Sequence, residues 1–366
     1  MKKKVAIFTA PEGHLSISEA ISESLSKKYK IDIFFQRDPA FSLYVPIYQL
    51  IPQAPRILFK ISKNKPSVKI VNQIFEKNYY DLIKKFIENK SPDLCISTHW
   101  LYHPSLSTIC SKKKIPYLNA ISDPRSIHPF CTAKSPCTNL VFDQLAINHC
   151  KKNSPNKDYQ EIGWFVRNTY EKKYQIQEVR KKLNLDEQKF TVLVVSGSEG
   201  TSAILKILPA LFAKSKPFNM IIACGNNTVL RKSISALIPI VKQQNPTLNL
   251  TSLPFTKNLH KYMQAADLIV GKAGPNTLFE SVATLTPFFA ITHISGQENG
   301  NLDIIRDYNL GYVEENPFKA AKLLIEIINH PEQLMQFQKP LKKLADYNLQ
   351  AKTKLLKLIA KLLTNS

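Results

Sequence analysis

Short apolar runs alternate with longer amphipathic stretches along almost the whole chain. The apolar runs predict strands at residues 5–9, 31–35, 94–97, 117–121, 190–196, 220–223, 248–250, 268–270 and 288–291. The amphipathic stretches predict helices at residues 14–28, 68–89, 104–112, 201–213, 228–243, 258–264, 276–284 and 301–307. Strands that alternate with helices are typical of an α/β fold, in which helices cover a mainly parallel sheet.

The 366 residues are enough for two domains with separate cores. A polar segment at residues 151–158 interrupts the alternation about halfway along the chain. We therefore predict a first α/β domain at residues 1–160, a second at 161–338, and a terminal amphipathic helix at 339–366.

A strand, a turn and a helix at residues 267–283 carry the strongest chemical signal. Gly274 turns the chain, and Pro275 suits the first helical position, where no backbone N–H is needed. The exposed amides around Asn276 and Thr277 can hold a phosphate, and Glu280, one turn inside, can bind a diol. This is the chemistry that a nucleotide-sugar requires, although an ordinary βα unit can also contain a Gly-Pro turn.

Two further small or polar segments belong to the same predicted site. Gly197 and Ser198 follow the first strand of the second domain, where free amides can contact a diphosphate. Gln297, Glu298 and Asn301 follow the next strand after Glu280, and we expect Gln297 and Glu298 to bind sugar hydroxyls.

The turn at residues 9–14 follows the first strand and opens the first helix. It places His14 at the carboxyl end of the sheet, where open α/β sheets bind ligands. Neutral imidazole is available as a base at pH 7. The alternative is that His14 only caps or lines the first helix.

The formal net charge of +22 indicates that the protein meets an anionic surface, either a membrane or a nucleic acid. Residues 41–90 hold nine Lys or Arg against three Asp or Glu, and apolar side chains interleave with the basic ones over residues 44–78. That mixture favours docking on a membrane rich in anionic lipid, although a solvated helix face has the same composition. Since no recognised nucleic-acid-binding module accompanies the charge, we expect no nucleic-acid partner.

No apolar run is long enough to span a bilayer, and the first apolar run is too short for a signal peptide. The six cysteines form no CxxC pair and no zinc-type spacing, so we expect reduced thiols. We therefore expect a cytoplasmic protein attached peripherally to the cytoplasmic membrane.

The Lys-Ala-Gly-Pro turn at 272–275 and the Gly-Gln-Glu-Asn-Gly-Asn segment at 296–301 resemble those of the monogalactosyldiacylglycerol synthases. Gly-His at 13–14, followed by a Ser/Ala-rich helix, also resembles the first turn of these synthases. More broadly, the nucleotide-binding region is similar to that of the related diacylglycerol glucosyltransferases and of MurG. The resemblance implies a GT-B fold, in which two Rossmann-like domains face a central cleft. It also implies UDP-sugar binding at the C-terminal domain and inversion at the sugar carbon, with no metal and no cofactor besides the UDP-sugar.

The resemblance also assigns roles to individual residues. It makes His14 the general base and places Phe255 and Thr256 beside the uracil ring. It also places Asp123 and His128 on the acceptor side, although such a local Asp–His pair can equally serve plain hydrogen bonding within the loop. The chain departs from the family pattern at 11–12, where Pro-Glu replaces glycines, and after Pro129, where Phe-Cys replaces Thr-Trp. In such enzymes the terminal helix returns to the first domain, here with five leucines turned inward: Leu341, Leu344, Leu355, Leu358 and Leu362.

Together these features predict an inverting glycosyltransferase that moves a hexose from a UDP-sugar to a membrane lipid, with diacylglycerol as the expected acceptor. Two alternatives remain open. One is MurG-like transfer of N-acetylglucosamine to a lipid-linked muropeptide, and the other is a GT-B protein that binds without catalysis.

Overall fold

The computed structural model describes residues 2–11, 13–36, 65–134, 136–195, 207, 210, 212–213 and 215–364. The chain forms two compact units. The first contains Met1–Asn168, Ser295–Gly300 and Asp346–Ser366, and the second contains Thr169–Ile294 and Asn301–Ala345. Ser295–Gly300 thus groups with the first unit, whereas the sequence analysis placed it in the second domain.

The first unit is built on a six-stranded sheet whose strands run parallel in the order β2-β1-β3-β4-β5-β6. Its strands are β1 (Lys4–Thr9), β2 (Lys30–Phe35), β3 (Leu94–Ser97), β4 (Tyr117–Ala120), β5 (Cys137–Val141) and β6 (Asp158–Glu161). Its helices are α1 (Gly13–Leu25), α2 (Lys65–Lys90), α3 (His103–Lys113) and α4 (Gln144–Asn153), with 3₁₀ turns at Trp100–Tyr102 and Pro129–Cys131. The short helix α5 (Asn168–Glu171) follows β6.

Helix α1 shows how the sequence pattern fixes this packing. Ile17, Ile21 and Leu25 recur every four residues and therefore lie on one face of the helix. All three are buried, and each such side chain contributes about 1.5–3 kcal/mol when it leaves water completely. The amphipathic spacing therefore determines which face of α1 meets the sheet.

The sequence analysis missed β5, α4 and β6. The polar segment at residues 151–158 contains the last turn of α4, the connection and the first residue of β6, which pairs with β5 inside the first unit. The miss has a physical cause, because Asn139 interrupts the apolar run of β5 while being fully buried. Its side chain is satisfied by Asn119 Nδ2 at 2.8 Å and by the Ala133 backbone.

The second unit contains another parallel six-stranded sheet, in the order β12-β11-β10-β7-β8-β9. Its strands are β7 (Phe190–Val195), β8 (Phe218–Gly225), β9 (Leu248–Pro254), β10 (Leu268–Lys272), β11 (Phe288–Thr292) and β12 (Gly311–Val313). Its helices are α6 (Ile176–Lys182), α7 (Thr228–Gln244), α8 (Leu259–Ala265), α9 (Pro275–Thr284), α10 (Asn299–Asp307) and α11 (Pro317–Asn329). The order is that of a Rossmann sheet, 3-2-1-4-5-6.

Strand β12 and helix α11 were also missed from the sequence. β12 has only three residues, which is too short for a pattern to be recognised. The predicted helix at 201–213 and the basic segment at 44–64 lie largely outside the described residues.

A 3₁₀ turn at Pro331–Phe337 leads into the last helix, α12 (Gln338–Thr364). Leu341, Leu344 and Leu355 are buried as the amphipathic pattern predicts. Ile359 is the buried residue of the final turns, whereas Leu358 and Leu362 are half-buried. The shift follows from helical geometry, because Ile359 lies one turn after Leu355 on the same face.

All six cysteines are buried free thiols. Burial raises the thiol pKa of Cys131 and Cys150, the latter to about 12. No helix in the described part of the chain is long and apolar enough to cross a membrane.

Candidate active site

The loops that follow β1 and β3 meet at the carboxyl edge of the first sheet. These strands are neighbours in the sheet, with Phe8 opposite Ser97. Thr98, the first residue after β3, connects the two loops, because its hydroxyl oxygen lies 2.9 Å from Thr9 Oγ1 and 3.3 Å from the His14 carbonyl oxygen, both within hydrogen-bond distance. The reversal of strand order between β1 and β3 makes this edge a typical ligand-binding position.

A backbone carbonyl distinguishes the two ring nitrogens of His14. His14 Nδ1 lies 2.8 Å from the Thr98 carbonyl oxygen. Since a carbonyl oxygen only accepts, Nδ1 carries the proton and Nε2 holds the free lone pair of the neutral ring. Burial lowers the pKa of His14 to about 4, and the Thr98 hydrogen bond opposes this shift. His14 is therefore neutral at pH 7 and can accept a proton at Nε2.

His99 lies next to His14 and was not singled out by the sequence analysis. The two ring centroids are 4.1 Å apart, and the rings are inclined at 67°. His99 is buried, and burial lowers its pKa, with smaller contributions from His14 and His103. The sequence did contain a signal, because Thr98 and His99 directly follow a buried strand, where functional side chains of α/β proteins are found.

Asp123 and His128 lie in the loop after β4, and their side chains hydrogen-bond different partners. The Cys131 thiol donates to Asp123 Oδ2 at 3.6 Å. Burial raises the pKa of Asp123 to about 6. The His128 ring instead caps the following 3₁₀ turn, because Nδ1 accepts from the Phe130 amide at 3.3 Å. These contacts support the interpretation of His128 as a loop-stabilising residue more directly than a role towards the acceptor.

The segment Ser295–Gly300 contacts this same loop within the first unit. Gln297 hydrogen-bonds the Asp123 carboxylate, and the Gly300 amide donates to Ser126 Oγ at 2.7 Å. A Cβ on Gly300 would come within 2.7 Å of the Arg125 side chain, so only glycine allows this close approach. The residue predicted to bind sugar and the carboxylate predicted on the acceptor side are thus in direct contact.

The second unit places its predicted donor residues at the switch point of its sheet. β7 and β10 are adjacent, with Val195 opposite Gly271, although more than seventy residues separate them in the sequence. Gly271 is required here, because a Cβ would lie 2.4 Å from the Val195 carbonyl oxygen. Gly197 and Ser198, which follow β7, lie outside the described residues.

Helix α9 begins as the sequence predicts. Gly274 is its N-cap with extended backbone angles, and Pro275 is its first residue. Asn276 and Thr277 follow in the first turn of the helix. Glu280 lies on the next turn and is only 8% exposed. The predicted phosphate-binding turn and the carboxylate therefore lie at the same end of α9, at the switch point of the sheet.

Asn301 supports the turn that precedes α9. Its Nδ2 donates to the Ala273 carbonyl at 2.7 Å, and its Oδ1 is buried without a hydrogen-bond partner among the described residues. Glu298 is also buried. Asn301 thus makes a structural contact beside the predicted phosphate-binding turn, and its Oδ1 accepts no hydrogen bond from the described residues.

Phe255 and Thr256 follow β9, the edge strand of the second sheet. Phe255 is 61% exposed. The Thr256 hydroxyl accepts from the Asn258 amide at 3.0 Å and caps the turn into α8. Among the described residues, no group of three or more His, Cys, Asp or Glu is placed to hold a metal ion.

Residues 191–303 match the sequence model of the glycosyltransferase family 28 C-terminal domain. This match spans β7 to α10 and includes each predicted donor residue. The prediction of a glycosyltransferase, made from the motifs, is thereby confirmed at the level of this domain.

Similar full-length proteins carry the names that the motifs suggested. Monogalactosyldiacylglycerol synthase 2 of Arabidopsis thaliana is 24% identical over 260 residues, covering 64% of this chain and 52% of that protein. A probable monogalactosyldiacylglycerol synthase of Glycine max is 28% identical over 258 residues, covering 67% and 47%. This chain therefore spans about half the length of these plant relatives. The processive diacylglycerol beta-glucosyltransferase of Bacillus cereus is 24% identical over 320 residues, covering 81% and 78%.

Solved structures confirm the predicted α/β, GT-B fold. Acinetobacter baumannii MurG aligns with a TM-score of 0.62 at 16% identity, covering 98% of this chain and 99% of that one. A UDP-glucosyltransferase from Polygonum tinctorium aligns with a TM-score of 0.64 at 11% identity, covering 100% and 99%. At such identities the likeness shows the fold alone.

Proposed function

We propose that this protein is an inverting glycosyltransferase that moves a hexose from a UDP-sugar to a hydroxyl of a membrane lipid, with diacylglycerol as the acceptor. In this proposal the second unit binds the UDP-sugar and the first unit supplies the base. The protein would work as a peripheral membrane protein on the cytoplasmic membrane, without a metal ion.

The strand order of the second unit is the main support for the donor site. The carboxyl ends of β7 and β10 are neighbours at the switch point, which is where dinucleotides and nucleotides bind in Rossmann sheets. The N-terminus of α9 carries a partial positive charge, which suits the diphosphate. The buried carboxylate of Glu280 would accept hydrogen bonds from the ribose hydroxyls, which are donors. Phe255, exposed after β9, would lie beside the uracil ring.

The chemistry of the acceptor step follows from the His14 tautomer. The acceptor oxygen attacks the anomeric carbon while the bond from that carbon to the UDP oxygen breaks, and UDP leaves with the electron pair. The proton of the acceptor hydroxyl goes to His14 Nε2, the nitrogen with the free lone pair. Attack from the face opposite UDP inverts the sugar carbon.

An exposed apolar and basic face on α2 supports membrane attachment. Ile70 is 56% exposed and Ile74 is 51% exposed, one helical turn apart. Lys69 and Lys77 flank them and are exposed too. Apolar side chains flanked by lysines are what an interfacial helix requires. We call these four residues the α2 face.

The names of the similar proteins support diacylglycerol as the acceptor. Both plant relatives are named monogalactosyldiacylglycerol synthases, and the Bacillus cereus relative is named a diacylglycerol glucosyltransferase. The Bacillus relative aligns over most of its own length, so this support is not limited to the matched C-terminal domain.

The direct test incubates the purified full-length protein with radiolabelled UDP-galactose, UDP-glucose or UDP-N-acetylglucosamine and with liposomes that contain diacylglycerol. We expect transfer of label from one UDP-hexose into the lipid fraction, with the β-anomer formed from an α-linked donor. Liposomes without diacylglycerol are the control. Transfer only to a lipid-linked muropeptide would replace this proposal with the MurG-like one. UDP binding without any transfer would favour a non-catalytic binding protein.

A further inference from the structure

His99 is held in place independently of any ligand. Its Nδ1 accepts from the Leu101 amide at 3.2 Å and so caps the 3₁₀ turn at Trp100–Tyr102. An acceptor at Nδ1 means that the neutral His99 ring carries its proton on Nε2. On its other side the ring stacks on Trp100, with centroids 5.2 Å apart and an angle of 24°. His99 is therefore a fixed, neutral, planar group at the carboxyl end of β3.

His14 has a fixed hydrogen bond at one nitrogen and a ring contact with His99. The Nδ1–H of His14 is anchored on Thr98, the residue directly before His99. A hydrogen bond at one ring atom still allows the imidazole plane to tilt about that bond. The edge-to-face contact at 4.1 Å blocks this tilt, because the His99 ring itself cannot move.

We infer that His99 is a positioning residue for His14, whose ring fixes the plane of the base so that Nε2 meets the acceptor hydroxyl in one orientation. This inference rests on the proposed function, in which His14 Nε2 takes the acceptor proton. It assigns to His99 no contact with substrate and no proton transfer.

The groups that surround His14 support this assignment. Among the described residues, the titratable side chains that interact with it electrostatically are His99 and His103, and both have a lowered pKa because they are buried. On α1 itself, Glu19 pairs with Arg167 at 3.3 Å. Both neighbouring imidazoles are therefore neutral at pH 7 and add no charge beside His14.

Two substitutions separate the two tasks of the His99 side chain. His99→Asn keeps an oxygen that can accept from the Leu101 amide but removes the ring. His99→Phe keeps a flat ring against His14 but removes the acceptor, so the 3₁₀ turn loses its cap. If the ring is what matters, His99→Asn should lower kcat by roughly tenfold to a hundredfold with little change in KM for the UDP-sugar. His99→Phe should keep most of kcat while its thermal midpoint falls.

His103 offers a matched control in the same unit. It is also a buried histidine with a lowered pKa, but its ring nitrogens bond the Tyr117 hydroxyl at 2.7 Å and the Cys131 carbonyl at 3.2 Å. His103→Gln should therefore lower stability and leave kcat near the wild-type value. A loss of kcat in His103→Gln equal to that in His99→Asn would show a general packing effect and overturn the inference.

A second measurement does not depend on turnover. Histidine labelled with ¹³C and ¹⁵N reports the tautomer and the titration of His14 by NMR. In the wild type we expect the Nδ1–H tautomer and no protonation of His14 above about pH 5. In folded His99→Asn the ring of His14 becomes hydrated, so its pKa should rise towards 6.5 and both tautomers should be populated.

The outcomes separate the inference from the proposed function. If the wild type transfers sugar and His99→Asn keeps its kcat and its His14 spectrum, the positioning role is wrong and the glycosyltransferase proposal stands. If the wild type transfers no sugar to any lipid, the proposed function fails. The NMR comparison then still decides whether His99 fixes the His14 ring.

Discussion

One backbone carbonyl makes the two ring nitrogens of His14, the proposed base, unequal. The Thr98 carbonyl fixes the proton on Nδ1, so His14→Ala should remove the acceptor of the hydroxyl proton and lower kcat by about 10²–10⁴. UDP binding should stay near normal, because the donor site is proposed in the other unit. Turnover assays with calorimetry of UDP binding test both points. Lost UDP affinity with little loss of kcat would contradict the assignment of the base.

The proposed donor site depends most on Glu280. A charged hydrogen bond typically contributes about 1.5–3 kcal/mol, so Glu280→Ala should weaken UDP binding tenfold or more. Glu178 provides the control, since it is also a carboxylate on a helix of the second unit but its side chain is 69% exposed. Glu178→Ala should bind UDP as the wild type does. Equal UDP affinity in the two folded variants would remove Glu280 from the site.

Strand β10 approaches β7 so closely at Gly271 that a methyl group does not fit. In Gly271→Ala the Cβ would lie 2.4 Å from the Val195 carbonyl oxygen, so the two strands must separate. We expect a loss of about 3 kcal/mol or more in unfolding free energy, measured by denaturant titration.

Gly225→Ala, at the end of β8, is the control for Gly271→Ala. Gly225 has φ of +55° and open space around its Cβ position, so only backbone strain of about 1–2 kcal/mol applies. A smaller loss in Gly271→Ala than in Gly225→Ala would contradict the close approach of β10 and β7.

The proposed membrane contact is the α2 face, which is formed by Lys69, Ile70, Ile74 and Lys77. Replacing Ile70 and Ile74 by Gln removes apolar area that would enter the interface, at about 1.5–3 kcal/mol for each fully buried side chain. We expect this double variant to sediment poorly with phosphatidylglycerol liposomes. Binding of the wild type should also weaken as salt is raised, since each lysine near an anionic surface contributes about 1 kcal/mol.

Val229 and Ile240 on α7 give the matched control for the membrane test. They are 74% and 50% exposed, in the second unit, and their double replacement by Gln should leave sedimentation unchanged. Equal binding by the α2 variant and the wild type would place the membrane contact elsewhere. Equal binding of the wild type to phosphatidylcholine liposomes would show that charge is not the determinant.

The stability of the whole molecule should fall as the medium becomes acidic. His14, His99 and His103 have pKa values below 6.5 in the folded chain because they are buried, with His14 at about 4 and His103 at about 3. Between pH 6.5 and 4 the unfolded chain therefore binds more protons, and the unfolding free energy decreases as pH falls. Asp123, with a pKa raised to about 6, acts in the opposite direction between pH 6 and 3.8.

The three histidines together change the unfolding free energy more than the single carboxyl of Asp123 does. We therefore expect the thermal midpoint to decrease from pH 7 to pH 4.5. The decrease should be shallower in His103→Gln, which lacks one of the three groups. Scanning calorimetry at a series of pH values measures both. A midpoint that stays constant or rises down to pH 4.5 would contradict the buried, neutral state of these histidines.

The sequence alone determined the βα units and the local geometry of the donor turn. Gly274 and Pro275 specify a helix start through local backbone preferences, and the four-residue spacing of apolar positions specifies which face of α1 is buried. These features depend on residues close together in the chain, so they could be predicted without knowing the strand order. Strand β5 was missed because a buried polar residue interrupts its apolar run, and β12 was missed because it is too short to give a recognisable pattern.

Only the tertiary structure decided which of these units meet. His14 and His99 are 85 positions apart and come together because β1 and β3 pair, which no local pattern specifies. The same is true of β7 and β10, and of Gln297, which reaches Asp123 across more than 170 residues. Non-local pairing depends on the packing of the whole sheet, with its close contacts at positions such as Gly271. The sequence could therefore suggest His14 as a candidate base, but only the fold shows which of its nitrogens has the free lone pair and which ring lies beside it.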